Sequence, residues 1–316
     1  MYVQLAGSWI DHSFLRNAFL IKKPAQIQKL MKNGVKQVIV HPLKGTFNFD
    51  DIPKKPKYVP PPPPAEPVYE NPLMPDNFSS MLNDATLPPE KKAGFIYEAS
   101  LEVMDTLLKS PTVENITQFK EGVSEMVDLI LVDNETSSQL LKITSHDYYT
   151  FTHSVNVGVL SVLLSKAIYG TSSPHDMAEL GAAFFLHDLG KIHVPDRLIS
   201  KPGALTDRER LIMQEHPASG FKILSDTNQL SPECKIIVMQ HHERADGSGY
   251  PQGLIGDNIH VYGRICSIVD VFDALTSKRP YKEPLTAFEA LSLMKSKMGH
   301  HFSSEIFVEF VQLFRQ

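Results

Sequence analysis

The spacing of hydrophobic positions changes between the start of the chain and the rest of it. Three short runs of β-forming residues and one helical pattern predict a small α/β module in residues 1–50. The β-type runs are residues 2–5, 19–21 and 37–40, and the helical pattern covers residues 25–31. Asn33 and Gly34 follow this helix as a C-cap signal.

From residue 88 onward, apolar residues recur every three or four positions, which predicts an all-helical second part. Two amphipathic helices, at residues 91–108 and 116–132, carry both signs of charge on their polar faces. We therefore expect them to pack on a core or to form a homodimer contact rather than to lie on a membrane. Further helices are predicted at residues 150–168, 175–189, 206–224, 232–241, 261–276, 287–298 and 304–314.

Prolines separate the two parts. Ten of the 23 prolines lie in residues 53–75, where they favour an extended, semi-rigid spacer. A proline-rich ligand for a partner domain is the alternative. The predicted organisation is an α/β module (1–50), a proline-rich linker (51–87), amphipathic helices (88–145) and a helical domain (146–316), so the fold class is mainly α.

Composition limits the function classes. With 42% hydrophobic residues and a net charge of −5, the 316-residue chain has a core but no broad basic surface, so DNA is not an expected partner. It has no signal-peptide pattern at the start and no apolar run of 18 residues, which predicts a cytoplasmic protein without membrane insertion. The two cysteines, Cys234 and Cys266, fit a reducing compartment.

One His-Asp dipeptide needs a chemical explanation. His187 and Asp188 follow an apolar run at residues 180–186, where two ionisable groups are costly to bury unless they are paired or bind a metal. Gly190 then lets the chain turn, and Lys191 places a cation beside the pair. The other two dipeptides, at residues 146 and 175, lie next to loop residues, so capping or solvation explains them.

Further candidate ligands lie in other helical segments. They are His153 near a helix start, His216 before Pro217, His241 and His242 at a helix end, and Asp270 in an apolar run. Imidazole and carboxylate ligands without thiolate favour Fe, Mn or Zn. Taken singly, His153 or His216 is more often a structural histidine, and Asp270 or Asp273 a cap or salt bridge. His300 and His301 are interpreted as solvated surface in a loop.

The order of these residues resembles the HD superfamily of metal-dependent phosphohydrolases. Residues 241–251, His-His-Glu-Arg-Ala-Asp-Gly-Ser-Gly-Tyr-Pro, look like the HHE and GYP signatures of its HD-GYP subfamily. Residues 269–275 and 279–282 are also similar to that subfamily, and the resemblance covers residues 146–316. Residues 1–50 resemble, more weakly, a small domain of unknown function that often precedes HD-GYP domains; its Trp9 is either a core anchor or a binding surface.

The resemblance implies a cyclic di-GMP phosphodiesterase that forms linear pGpG, and sometimes GMP, by attack of a metal-bridging hydroxide. The implied cofactors are two divalent ions, Fe or Mn first, with Zn, Ni or Mg as alternatives. The implied metal ligands are His153, His187, Asp188, His216, His241, His242 and Asp270, with Asp188 bridging. The implied catalytic residues are His187, Asp188 and Lys191, and the implied substrate contacts are Lys191, Gly249, Tyr250, Pro251, Arg279 and Lys282.

The chain departs from the family pattern at one position, and two alternative functions remain. Where some members have a glutamate that binds a third metal, this chain has Tyr149, whose phenol is a poor ligand at neutral pH, so a two-metal site is predicted. The GYP loop in this family also contacts partner proteins such as GGDEF-type diguanylate cyclases. The alternative functions are a cyclic di-GMP receptor with little turnover and a phosphodiesterase for another cyclic dinucleotide such as 3′,3′-cGAMP.

Overall fold

The computed structural model describes residues 2–5, 18–33, 35, 38–40, 72–144, 150–170, 176–277 and 283–315. The chain separates into two units, Met1–Val68 and Tyr69–Gln316. The four-part division made from sequence stays a prediction, and Trp9 and the proline run lie outside the described residues.

The first unit contains a three-stranded antiparallel sheet and one helix. These elements are β1 (Tyr2–Leu5), β2 (Ala18–Leu20), α1 (Pro24–Lys32) and β3 (Val38–Val40). The central strand is β1, in which Val3 lies opposite Phe19 on one side and Val40 on the other. Val3 and Leu30 of α1 are buried. The three β-type runs and the helical pattern predicted from sequence all correspond to these elements.

In its described residues, the second unit is helical. Its α-helices are α2 (Phe78–Asn83), α3 (Pro89–Lys109), α4 (Val113–Val132), α5 (Asn134–Ile143), α6 (Thr150–Tyr169), α7 (Met177–Phe185), α8 (Asp196–Ile199), α9 (Asp207–Met213), α10 (His216–Thr227), α11 (Pro232–Gln240), α12 (Val261–Thr276), α13 (Ala287–Met298) and α14 (Ser304–Leu313). Short 3-10 helices cover Leu189–His193, Gly256–Asn258 and Gly299–His301. None of the described helices is both long and apolar enough to cross a bilayer.

Helix α6 forms the centre of this unit. It packs against α3, α7, α12 and α14. Its apolar residues are buried on all sides, as Val155, Val157, Leu160 and Leu164 show. A helix that is apolar all round belongs in a core. The apolar stripes of α3 and α4 are also buried within the unit, while dimerisation through these helices stays a prediction.

Two predicted helices have different bounds in the structure. The pattern at residues 206–224 is two helices, because α9 ends at Met213 and α10 starts at His216, with Pro217 in its first turn where no N–H is needed. A capping box of Thr206 and Glu209 begins α9. The pattern at residues 175–189 forms a helix only as far as Phe185.

Three helices lack a counterpart in the sequence prediction. They are α2, α5 and α8, all of ten residues or fewer. Short helices carry too few turns to establish a clear period, and tertiary packing stabilises them instead. The Asp of the second His-Asp dipeptide, Asp176, caps α7 by accepting from the backbone N–H of Glu179, as predicted.

Candidate metal centre

The structure brings the seven predicted metal ligands together, although they come from five separate segments. Their ligand atoms form two groups, and within each group the atoms lie within 4.8 Å of one another. One group is His153, His187 and Asp270, and the other is Asp188, His216, His241 and His242. Six of the seven residues are buried, and His242 is partly buried.

The ends of helices place most of these side chains. His153 lies in the first turn of α6, and His216 is the first residue of α10. His187 and Asp188 lie in the turn after α7, and His241 and His242 follow α11. Asp270 projects from within α12, which packs against both α6 and α11.

Asp188 lies between the two groups. Its Oδ2 is 3.5 Å from Nε2 of His153 and 3.5 Å from Nε2 of His187. Its Oδ1 is 3.3 Å from Nε2 of His216 and 3.7 Å from Nε2 of His241. The two carboxylate oxygens of Asp188 thus face different pairs of imidazoles.

Asp270 makes a second link across the cluster. Its Oδ1 is 3.1 Å from Nε2 of His153, and its Oδ2 is 3.4 Å from Nδ1 of His242. The side chain is 11% exposed, so solvent screens these contacts little. Asp270 therefore belongs to the cluster and is not a helix cap.

Backbone carbonyls orient three of the imidazoles. Nδ1 of His187, His216 and His241 lies 2.8, 2.6 and 2.9 Å from the carbonyl oxygen three residues earlier. A carbonyl only accepts hydrogen bonds, so each Nδ1 carries the proton and each Nε2 offers its lone pair to the cluster. This second contact is typical of histidines that bind metals.

A divalent ion accounts for groups that are otherwise hard to explain. Nε2 of His187 and Oδ1 of Asp188 are buried without a hydrogen-bond partner among the described residues. Such orphaned polar atoms are costly unless something else binds them. The nitrogen and oxygen donors suit a divalent transition metal, whose bonds are about 2.0–2.2 Å long.

The protonation states favour metal binding in most of the cluster. Burial lowers the pKa of His187 to about 3, and it also lowers the pKa of His216 and His242. Burial opposes ionisation of Asp188, yet Lys191 and the neighbouring imidazoles hold its pKa well below the ordinary value. Burial also opposes charge on His153, but Asp270 and Asp273 outweigh it and raise its pKa to about 10. A metal ion that bound Nε2 of His153 would therefore displace a proton.

Asp273 supports the cluster, and the sequence analysis treated it only as a cap or salt bridge. It is fully buried on α12, and its Oδ2 lies 2.6 Å from Nδ1 of His153. Its Oδ1 accepts from the side-chain amide of Asn156 at 2.8 Å. Oδ1 of Asn156 in turn accepts from the hydroxyl of Tyr97. The signal in the sequence was the spacing of three residues from Asp270, which places both carboxylates near one face of α12.

We expect Asp273→Asn to weaken metal binding about 10–100-fold, because loss of an outer partner releases the ring of His153. The measurement is the metal dissociation constant by equilibrium dialysis. Asp105→Asn on α3, which removes a partly exposed carboxylate paired with Lys109, is the control and leaves that constant unchanged. Equal affinity in the two variants would show that Asp273 has only a structural role.

The loop that carries the GYP motif is held against the cluster. The Tyr250 backbone N–H donates to the His242 carbonyl at 3.2 Å, and the Tyr250 ring lies 4.7 Å from the imidazole of His242. Buried Glu243 accepts from the backbone N–H groups of Gln252 and Leu254 at 2.6 and 2.9 Å. From sequence, Glu243 has no role beyond its place in the motif. In the structure, its carboxylate anchors the loop.

A cavity of about 510 Å³ opens onto the cluster. Lys191 and Tyr250 line it, as do Arg244 and His301. Lys191 donates through Nζ to Oδ2 of Asp188. A volume of this size suits a small organic ligand.

The other predicted substrate contacts that the structure describes do not line the cavity. Gly249 is partly buried and is not part of the cavity lining, and Pro251 is exposed. Arg279, Lys282 and Tyr149 lie outside the described residues. The interpretation of the second histidine pair as solvated surface is correct for His300, which is 61% exposed, and wrong for His301, which is 14% exposed and faces the cavity.

Comparisons with known proteins agree with this geometry. The HD domain family matches residues 164–306, and a domain of unknown function (DUF3391) matches residues 1–110. The chain is 33% identical to the cyclic di-GMP phosphodiesterase PA4108 of Pseudomonas aeruginosa, over 99% of this chain and 73% of that protein. It is 36% identical to the 3′3′-cGAMP-specific phosphodiesterase 2 of Vibrio cholerae, over 66% of this chain and 40% of that protein.

A solved structure shares the fold. Bd1817, an HDG"Y"P protein from Bdellovibrio bacteriovorus, matches with a TM-score of 0.64 at 20% identity, over 76% of this chain and 77% of that one. The similarity to one relative along almost the whole chain, the HD domain match and the intact cluster have the same explanation. The chain belongs to the HD-GYP family of HD-domain phosphodiesterases.

Proposed function

We propose that this protein is a metal-dependent phosphodiesterase that hydrolyses cyclic di-GMP to linear pGpG. The observation that carries the proposal is the position of Asp188, whose two carboxylate oxygens face separate groups of ligands beside a cavity. The relative from Pseudomonas aeruginosa, which is similar along nearly the whole chain, is named for this activity.

The two groups of donors support a site for two divalent ions. Imidazole nitrogens and carboxylate oxygens, without a thiolate, favour Fe or Mn, with Zn, Ni and Mg as the other ions to compare. Cys266 on α12 is buried, and burial raises the pKa of its thiol well above the ordinary value, so it stays protonated and does not compete as a ligand. Bound ions would supply Lewis acidity to a phosphate oxygen and lower the pKa of water for an in-line displacement.

The chain's own residues position the substrate. Lys191 is 23% exposed at the cavity and places an ammonium group beside Asp188, where it neutralises a phosphate oxygen and the charge that develops during displacement. Tyr250 presents an aromatic ring at the cavity for a nucleobase to stack on. We assign further phosphate contacts to Arg279 and Lys282, and Gly249 and Pro251 would shape the loop near the substrate.

Two other functions remain as alternatives. Hydrolysis of 3′,3′-cGAMP is favoured by the similarity to the Vibrio cholerae enzyme, and it uses the same ligands and the same phosphate chemistry. A receptor that binds cyclic di-GMP with little turnover is disfavoured, because binding alone does not require seven convergent metal ligands. The predicted contact of the GYP loop with GGDEF-type cyclases concerns an outer surface and is compatible with each of these functions.

We expect the protein reconstituted anaerobically with Fe(II) or Mn(II) to release pGpG from cyclic di-GMP with a higher kcat/KM than it shows for 3′,3′-cGAMP. The measurement is chromatographic detection of linear products with both substrates under identical metal loading. A higher kcat/KM for 3′,3′-cGAMP would assign the second function. Tight binding of cyclic di-GMP, with no linear product in the presence of Fe, Mn, Zn, Ni or Mg, would identify a receptor.

A further inference from the structure

A second group of metal-ligating side chains lies at the rim of the cavity, apart from the seven-residue cluster. Asp246 comes from the loop that carries Tyr250, and His300 and His301 come from the 3-10 helix between α13 and α14. One ligand atom from each residue lies within 4.8 Å of the other two. This rim triad has no part in the function proposed above.

The spacing within the rim triad fits an ion better than a direct contact. Nε2 of His300 and Nε2 of His301 each lie 3.8 Å from Oδ2 of Asp246. That distance is too long for a hydrogen bond. It lies within the ~4.2 Å that two donors can span when each is about 2.1 Å from a shared ion. The donors around Asp188 have similar separations of 3.3 to 3.7 Å.

Local contacts hold the carboxylate in place for this role. Oδ1 of Asp246 accepts from the backbone N–H and the hydroxyl of Ser248, at 3.0 and 2.7 Å, which leaves Oδ2 facing the two imidazoles. Those hydrogen bonds also lower the pKa of Asp246, so the group is a carboxylate at neutral pH. A hydrogen-bonded second oxygen is the usual support of a ligating carboxylate.

A direct hydrogen-bonded ion pair does not explain how the two imidazoles are placed against this carboxylate, because both Nε2–Oδ2 distances are 3.8 Å. The two imidazole rings are 4.3 Å apart, a distance at which two protonated rings repel. Neutral imidazoles are the form that binds metal.

The backbone around the rim triad is already fixed, so little ordering is needed on binding. The N–H of Ala245 donates to the carbonyl of His301 at 2.8 Å, and Asp246 pairs with Ile255 across the loop. An ion at this point would join the loop to the chain between α13 and α14. The same loop places Tyr250 against His242, so the rim is mechanically coupled to the cavity wall.

We propose that Asp246, His300 and His301 bind a divalent first-row transition ion, such as Zn²⁺, which clamps the loop of residues 243–256 to the segment between α13 and α14. Two imidazoles and one carboxylate form a three-ligand set that such ions accept, with the remaining positions filled by water. The bound ion stabilises one position of the cavity wall.

The test uses Asp188→Asn in the full-length chain as background, because loss of the central carboxylate removes ions from the main cluster and leaves the rim triad intact. In equilibrium dialysis against graded Zn²⁺ with metal analysis, this protein is expected to retain one equivalent. Adding His300→Ala weakens binding of that equivalent at least ~10-fold, because removal of a ligand costs no less than removal of an outer partner. Adding His301→Gln gives the same loss with a side chain of similar size.

The matched control is His193→Ala in the same background. His193 is an exposed histidine in another 3-10 helix, where its Nδ1 contacts the hydroxyl of Ser219 at 2.6 Å. This control is expected to retain the equivalent. Zn²⁺ should also raise the thermal midpoint of the control protein and not that of the His300→Ala protein. Equal Zn²⁺ binding with and without His300 would overturn the assignment of an ion to the rim triad. That result would not affect the proposed phosphodiesterase function, because that function is assayed in protein that retains Asp188.

Discussion

Replacing Asp188 by asparagine is expected to reduce turnover of the cyclic dinucleotide at least ~10³-fold and to release metal from the cluster. Asp188 faces four imidazoles, two through each carboxylate oxygen, so the amide removes the charge on which both groups of ligands depend. A metal contributes several kcal/mol of transition-state stabilisation, which corresponds to a rate factor of this size. Steady-state kinetics and metal analysis on the same preparation measure both effects.

Asp226→Asn is the matched control for this change. Asp226 forms an ion pair with Lys222 at 2.5 Å, as Asp188 does with Lys191, but it is 64% exposed on the surface of α10. The control should keep its metal and its turnover, because an exposed pair contributes little. If the Asp188→Asn protein retained full activity, the proposed role of the cluster in hydrolysis would be wrong.

Gly190→Ala is expected to destabilise the fold by more than ~3 kcal/mol and to disrupt the metal centre, without any change of a ligand. A Cβ at Gly190 would lie 1.9 Å from the carbonyl oxygen of His216 and 2.5 Å from the backbone nitrogen of Gly220. These are backbone atoms of α10, so no side-chain rotation relieves the clash, and the cost exceeds the 1–3 kcal/mol typical of overpacking. Moving α10 away would withdraw His216 from Asp188.

The measurements are denaturant unfolding and metal content, with Gly94→Ala as the control. Gly94 lies within α3, and a Cβ there meets nothing within 4 Å. Alanine at that position should stabilise the protein by about 0.5–1 kcal/mol, since glycine is the poorer helix former. If the Gly190→Ala protein matched wild type in stability and in metal content, the packing of α10 against the 3-10 helix Leu189–His193 would not depend on this close approach.

Gly190 also shows that a sequence pattern can single out an important residue and still suggest the wrong physical reason for it. From sequence, Gly190 is expected to let the chain turn after Asp188. Its backbone does not need a left-handed conformation, however, and what requires glycine is the approach of α10, which lies some 26 residues further along the chain. Contacts between distant segments leave no local pattern, so a sequence pattern identifies the residue but not its neighbour.

The same limit applies to residues that act through others. Asp273 and Glu243 were visible as acidic residues near candidate ligands, yet their roles depend on the partners that folding brings to them. His301 was assigned to the solvated surface because the histidine pair follows Gly299 in a predicted loop. The packing of the α13–α14 connection against the loop that carries Tyr250 leaves it only 14% exposed instead.

By itself, the sequence determined the helical class of the second part, the α/β character of the first, and the identity of the seven residues that converge on the cluster. The helical and α/β classes follow from local periodicity. The seven residues were identified because their order along the chain and the motif at residues 241–251 resemble the HD-GYP family. Only the tertiary structure decided that the two oxygens of Asp188 face different groups, that Asp273 holds His153, and that Asp246 meets two histidines from the α13–α14 connection. Those facts depend on how helices that are distant in sequence pack against α6 and α12, and this packing is a property of the whole core.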